Sequence, residues 1–313
     1  MAAERLISAR PTHSCWNRAL APRLRIQSGD TVRFECLDSS GAQVHPGMTA
    51  EEFLSIDRGL IHALTGPLFV EGAEQGDVLQ VDILEVTHKG WGWSSVIGGL
   101  GFLKDRFSAP YLFHWKLDGD VTRSLAPAIV PLRPFCGVIG VAPGKDGEFR
   151  TRPPGAFGGN MDVRDLCVGA TLYLPIFNTG ALFSIGDAHA AQGDGEVCIN
   201  GIECPVDATA RFHLHKSRNL SAPLAESPAG GDRDAASDAW IVIESGLDAT
   251  AAARAATSRM IDLLLEKWGF SEVHAYILCS VAMHLRFSQV VNEPVFTVAA
   301  YMPKRILPST TLF

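Results

Sequence analysis

QGDVLQVDIL, residues 75–84, opens on a glycine turn and then reads apolar, polar, apolar at period two. Side chains alternate across an extended strand, so this is the signature of a half-buried strand. SGDTVRFECL (28–37) and VGATLYLPIF (168–177) repeat the form, each with a glycine that supplies the turn conformation. Such strands, separated by long irregular loops, predict sandwich-like or barrel-like β structure rather than a parallel nucleotide-binding sheet.

The last quarter reads differently. Residues 247–268 (LDATAAARAATSRMIDLLLEKW) lack Gly and Pro and end at Gly269. Asp248 or Thr250 suits the N-cap and Gly269 the C-terminal stop, and Met260, Leu263, Leu264 and Trp268 share one face. A second, short helix is expected over 273–283, followed by strand-like LRFSQVV and TVAAYMP. Residues 217–238, rich in Pro, Gly, Ala and Asp, read as a surface loop between a mainly β part (1–216) and a smaller α+β part (239–313).

Length allows about two domains as a soft prior, and 47% hydrophobic with 19% charged residues suits a soluble globular chain. A net charge of −7 without blocks of like charge gives no nucleic-acid footprint. No apolar run reaches the ~18 residues of a membrane span, and the N-terminus lacks the apolar centre of a secretion signal, so a cytoplasmic protein with no membrane partner is expected. Seven cysteines, never spaced C-x-x-C, indicate neither a disulfide framework nor a thiolate zinc site.

Ionisable residues concentrate in GDAHAAQGDGEVCINGIE (186–203). Asp187 and His189 are two apart, as are Gln192, Asp194 and Glu196, so in extended chain each set shares a face, with Ala190 and Ala191 breaking the phase. A polar hairpin would account for the pattern. So would a site, because Asp and His suit a divalent metal such as zinc and a nearby Glu can carry protons. His62, Glu71 and Glu74 stand around glycines in IHALTGPLFVEGAEQGDVL (61–79); Asn160 and Asp162 follow paired glycines in PPGAFGGNMDVRDL (153–166); HSCWN (13–17) adds His13, Trp16 and Asn17.

These segments, with SGDTVRFE, GWGWSSVI, PLRPFCGVIGVAP, LYLPIFNTGALFSIGDAHAAQGDGEV and LRFSQVVN, resemble the acetamidase/formamidase family in the same order from about residue 13 to 304. The resemblance implies a mostly β fold with jelly-roll-like and barrel-like parts and an α/β element. It implies hydrolysis of the C–N bond of short amides to a carboxylic acid and ammonia, assisted by a divalent metal, zinc or calcium. It also implies a homodimer or larger homo-oligomer.

On that basis Asp187, His189 and His62 are expected to hold the metal and Glu71, Glu196 or Asp194 to act in catalysis. Asn160, Asp162, Gln192, Phe157 and Trp16 are expected to contact substrate. Two departures stand out: Phe157 precedes GGN where relatives often carry His or Asn, and His284 precedes Leu285 and Arg286 where relatives often carry Asp. Both point to a larger, less polar amide or a lactam. Rival readings are a cysteine nucleophile at Cys198 or Cys15, a non-catalytic binding protein on the same scaffold, and a metal pair at His213 and His215.

Overall fold

The computed structural model describes residues 5–228 and 238–313. Two sheets hold most of the strand residues. The larger has nine strands in the order Arg5–Ile7, Thr31–Cys36, Val206–His215, Val78–His88, Thr171–Pro175, Leu224–Glu226, Ala239–Gly246, Phe296–Pro303, His284–Gln289. The smaller has five, in the order Gly158–Asn160, Phe135–Val141, Phe183–His189, Leu64–Val70, Leu24–Ile26. The three glycine-led strands expected from period two all form, and all lie in the larger sheet.

Alternation decides which side of each strand is buried. Leu79, Val81 and Ile83 of Val78–His88 enter the main core with Phe34, Leu172, Leu174 and Phe212, and meet Ile139, Phe183 and Ile185 of the smaller sheet there. Phe34, Phe183 and Phe212 meet edge to face with centroids 5.1–6.1 Å apart, a favoured arrangement for aromatic rings.

Helix Ala249–Trp268 starts at Asp248, whose carboxylate accepts from the Ala251 N–H at 2.7 Å, and stops at Gly269 with φ 70°, the left-handed conformation glycine adopts without strain. Met260, Leu263 and Leu264 pack with Trp240, Val242 and Ala300 of the larger sheet. Helix Glu272–Ala282 follows behind Ser271.

Three expectations change. Neither sheet closes on itself, so the barrel-like part is instead an open sheet. Strands from 1–216 and from 239–313 share the nine-stranded sheet, so one continuous sheet crosses the proposed boundary. The expected loop 217–238 contributes the strand Leu224–Glu226 to the middle of that sheet, with Ala222, Leu224 and Ala225 buried; three residues beside a proline are too short to show a period. Residues 229–237 of that stretch lie outside the described residues.

Candidate active site

Ile185 and Ala188 both enter the main core although they are three apart on one strand. The alternation slips at Gly186–Asp187, where Asp187 has φ 53°, the local change that a bulge produces. Beyond His189 the chain runs antiparallel to residues 202–204. Ala190 N–H donates to Ile202 O (2.8 Å), Ile202 N–H to Ala191 O (2.9 Å) and Cys204 N–H to Ala188 O (2.9 Å). His189 and Glu203 are thereby opposed, and opposed residues share a face. Glu203 Oε1 stands 2.8 Å from His189 Nε2.

Residues 192–201 loop out between these arms. Positive φ at Gly195 (94°) and Glu196 (48°) turns the chain, leaving Asp194 exposed while Glu196 is buried. Asp194 pairs with Arg164 (3.1 Å) and Arg286 (3.6 Å). Glu196 Oε1 lies 3.8 Å from His189 Nε2. Asp187 Oδ1 is 3.7 Å from the same nitrogen, and its Oδ2 is 3.7 Å from His62 Nε2.

Asp162 enters from the segment after Gly158–Asn160 and accepts from Asn292 Nδ2 at 2.7 Å. Asn292 is presented by a turn built on buried Gln289, whose Oε1 accepts the Val291 and Asn292 N–H groups. Gly137 makes room for the arrangement: a methyl there would collide with Asp162 Oδ1 and come within 3.1 Å of His189 Cε1.

Gln192 settles the tautomer of His189. Its Nε2 donates to the carbonyls of Asp162 (2.9 Å) and Ser288 (3.2 Å), which turns Oε1 toward His189 Nδ1 at 2.8 Å. Nδ1 therefore carries the proton, and in the neutral ring Nε2 offers a lone pair. Three carboxylates face that lone pair. Lone pairs and carboxylates repel unless a proton or a metal cation lies among them.

The electrostatics agree. Burial acts against a charged His189, and Glu203 and Asp187 outweigh it, so its pKa is raised. Burial pushes Glu203 up to about 7 and Asp162 up to about 8; it raises Glu196 too, with Asp162 adding to the effect. Burial also acts upward on Asp187, but His62 and His189 hold it down at about 2. His62 is lowered by burial. Asp162 Oδ1 and Glu203 Oε2 are buried without hydrogen-bond partners, which is costly unless something else meets them. Two overlapping groups, Asp162–His189–Glu196 and Asp187–His189–Glu203, each place their ligand atoms within 4.8 Å of one another. This set of one imidazole and several carboxylates fits a divalent metal.

A cavity of about 180 Å³ opens over His62, Glu203 and Asn292. Phe53, Ile61, Trp93, Ile97, Leu100 and Ile199 supply its apolar wall; Arg58, Arg150 and Arg152 are its cations.

A model of the acetamidase/formamidase family matches residues 3–148 and 145–309. The chain belongs to the acetamidase/formamidase family. It is 26% identical to an acetamidase of Mycolicibacterium smegmatis over 344 residues, covering 86% of this chain and 84% of that one. Its fold is similar to a crystal structure of acetamidase from Bacillus halodurans, with TM-score 0.89, 32% identity and 96% and 98% of the two chains covered. A gamma lactamase from Delftia acidovorans shares the fold at TM-score 0.68 and 24% identity, over 96% and 91% of the chains.

In this acetamidase/formamidase family member the expected residues divide. Asp187, His189, His62, Glu196, Asp162 and Gln192 converge, although Gln192 is held by protein partners on both ends of its amide and serves His189 rather than the cavity. Asn160 is close behind, donating to the Arg152 carbonyl at 3.2 Å. Glu71 does not converge. The seven-residue strand Leu64–Val70 separates it from His62, roughly 20 Å at ~3.3 Å per residue, and it is an exposed partner of Arg25 at 3.2 Å. Asp194 is drawn outward by its two arginines.

Trp16 and Phe157 stack edge to face at 5.3 Å in a separate apolar cluster with Leu64 and Val138, and neither lines the cavity. His284 is exposed on the edge strand. Neither of the two departures from the family pattern therefore lies in the cavity wall.

Glu203, Asn292 and the cavity wall received no role from sequence. Glu203 closes the 186–203 stretch and Asn292 closes LRFSQVVN, so both were in view. The signal that finds Glu203 is its register opposite His189, ten residues beyond any local spacing rule. His213 and His215 face Asp82 (3.6 Å) and Gln80 (2.7 Å) on a partly exposed strand. The Cys15 and Cys198 thiols are both pushed up by burial, away from the thiolate a nucleophile needs.

Proposed function

We propose that the His189 cluster is where this amide hydrolase cleaves the C–N bond of short linear amides, releasing a carboxylic acid and ammonia. The class of activity follows from family membership. The observation that carries the location is the His189 Nε2 lone pair, fixed by Gln192 and faced by Asp187, Glu196 and Glu203 beside the cavity.

Asp187, His189 and Glu203 would hold a divalent ion, with His62 alongside Asp187; zinc suits the nitrogen and oxygen donors, and calcium the carboxylates. Such an ion supplies Lewis acidity, polarising a carbonyl and lowering the pKa of water to about 7. Glu196 and Asp162 are the proton carriers. Two buried neighbouring carboxyls resist ionising together, so the pair keeps a proton. Glu196 takes a proton from water as its oxygen bonds to the amide carbon, and returns one to nitrogen as the C–N bond breaks, because an amine leaves poorly unless protonated. His62 and Asn292 line the cavity where substrate enters.

A homodimer or larger assembly belongs to the same reading. Helix Glu272–Ala282 leaves Val273, Tyr276, Ile277 and Val281 exposed on one face, a patch of the kind that interfaces cover.

Ammonia release from formamide, acetamide, propionamide, benzamide and a γ-lactam tests the activity. Turnover of linear amides is expected. Release from none of them favours the non-catalytic binding alternative, and release from the lactam alone favours a lactam hydrolase.

A further inference from the structure

The cavity has walls of two kinds. Phe53, Trp93 and Leu100 are apolar, whereas Arg58, Arg150 and Arg152 bring three cationic side chains to the same lining. The chain as a whole is acidic, with 34 Asp and Glu against 27 Lys and Arg, so this is a local reversal of charge. Several arginines elsewhere meet carboxylates: Arg33 meets Asp207 at 2.8 Å, Arg133 meets Asp165 at 2.9 Å, and Arg259 meets Glu244 at 2.6 Å.

Arg58 and Arg150 stand exposed at the cavity, and Arg152 is half-buried. Among the described residues neither Arg58 nor Arg150 has a carboxylate within 4 Å. Arg58 lies over the Phe53 ring, 5.4 Å from its centroid. Arg152 donates from Nη2 to the Val291 carbonyl at 3.1 Å. Burial and then Arg150 lower the Arg152 pKa, and Glu293 and Glu196 offset this only in part, so a further anion between Arg150 and Arg152 would favour that charge. A guanidinium presents a planar fork of donors matched to a carboxylate. The cavity, about 180 Å³, is many times the roughly 10–15 Å³ that admits a single water, which leaves space beyond the four heavy atoms of acetamide.

We propose that the preferred substrate is an amide whose far end carries a carboxylate, such as the monoamide of a short dicarboxylic acid. The amide group faces His62 and Glu203, the methylene chain lies along Phe53 and Trp93, and the carboxylate is received by Arg150 and Arg58. This inference rests on the amide hydrolase reading of the same cavity.

Ammonia release is measured from succinamate against butyramide and from glutaramate against valeramide, pairs matched in carbon count. The anionic member of each pair is expected to have a kcat/KM about tenfold higher, the size of one charge-assisted contact, with the advantage shrinking as salt rises. Arg150→Gln and Arg58→Gln should collapse the ratio, chiefly through the KM of the anionic amide, and Arg150→Lys should restore part of it. Neutral amides used as well as or better than their anionic partners, or a ratio unmoved by the double Gln variant, would overturn the proposal. Release from neither member of either pair, nor from acetamide, would instead contradict the amide hydrolase reading itself.

Discussion

Gln192 Oε1 accepts from His189 Nδ1 at 2.8 Å while the other end of the same amide is committed to the Asp162 and Ser288 carbonyls. The side chain thus sets both the orientation and the tautomer of the one imidazole at the centre of the cluster. Replacing Gln192 by Ala frees the ring and admits the wrong tautomer. Amide turnover and metal affinity are each expected to fall about 10–100-fold, the range typical for partners that orient a metal ligand. Metal titration together with ammonia release checks this, and unchanged affinity would remove Gln192 from the role.

Gly137 is the close-approach point beneath the cluster. Gly137→Ala places a methyl against Asp162 Oδ1 and His189 Cε1, so one of them must shift. Activity is expected to drop at least tenfold while the chain stays folded, since a displacement of about 1 Å at reacting groups can cost 10²-fold. Circular dichroism with steady-state kinetics separates the two effects.

The two glutamates singled out as proton carriers from sequence have different fates in the fold. Glu196→Gln should lower kcat by about 10²–10⁴, the usual contribution of a general acid–base group. Glu71→Gln, at the far end of its strand and paired with Arg25 on the surface, should leave kcat within about twofold, consistent with the small effects of exposed pairs. Equal losses in both variants would contradict the placement of the proton carrier.

Away from the site, Asp77 ties the glycine turn of QGDVLQVDIL to the chain after Val206–His215. Its carboxylate accepts from Glu74 N–H (2.8 Å), Ser217 N–H (2.8 Å) and Lys216 Nζ (2.5 Å). Burial acts to raise its pKa, and these donors outweigh it, so it lies below the usual 3.8. A depressed carboxyl stabilises the fold above its unfolded pKa and loses that contribution as pH falls through the folded value. Asp77→Asn is expected to cost about 1–3 kcal/mol at neutral pH, with the gap to wild type narrowing below pH 3.8. Denaturant midpoints across pH read it directly.

How far the sequence reaches depends on the range of the interactions involved. Period two and glycine turns are local, so Thr31–Cys36, Val78–His88 and Thr171–Pro175 were legible, as was helix Ala249–Trp268 with its Asp248 and Gly269 caps. Asp187 and His189 were legible for the same reason: they are neighbours on one strand. Glu203 and Asn292 reach the cluster through register and a distant turn, which no spacing rule encodes. The loop 192–201 misled in the opposite sense. Its period-two spacing suggested a second extended arm, but positive φ at Gly195 and Glu196 sends Asp194 out and Glu196 in. Phe157 and Trp16 sit near the motif in sequence yet pack with each other, while the cavity wall comes from Phe53 and Leu100, outside any motif, and from Trp93 of GWGWSSVI, a segment with no ionisable residue to single it out.

Amide hydrolysis is expected to depend on a divalent metal held by Asp187, His189 and Glu203. The most direct test measures ammonia release from acetamide, with metal content per chain, before chelation, after chelation, and after zinc or calcium is returned. Activity that disappears with the metal and returns with it, in wild type but not in His189→Ala, is the expected result. Full activity from chains stripped of metal would contradict the account.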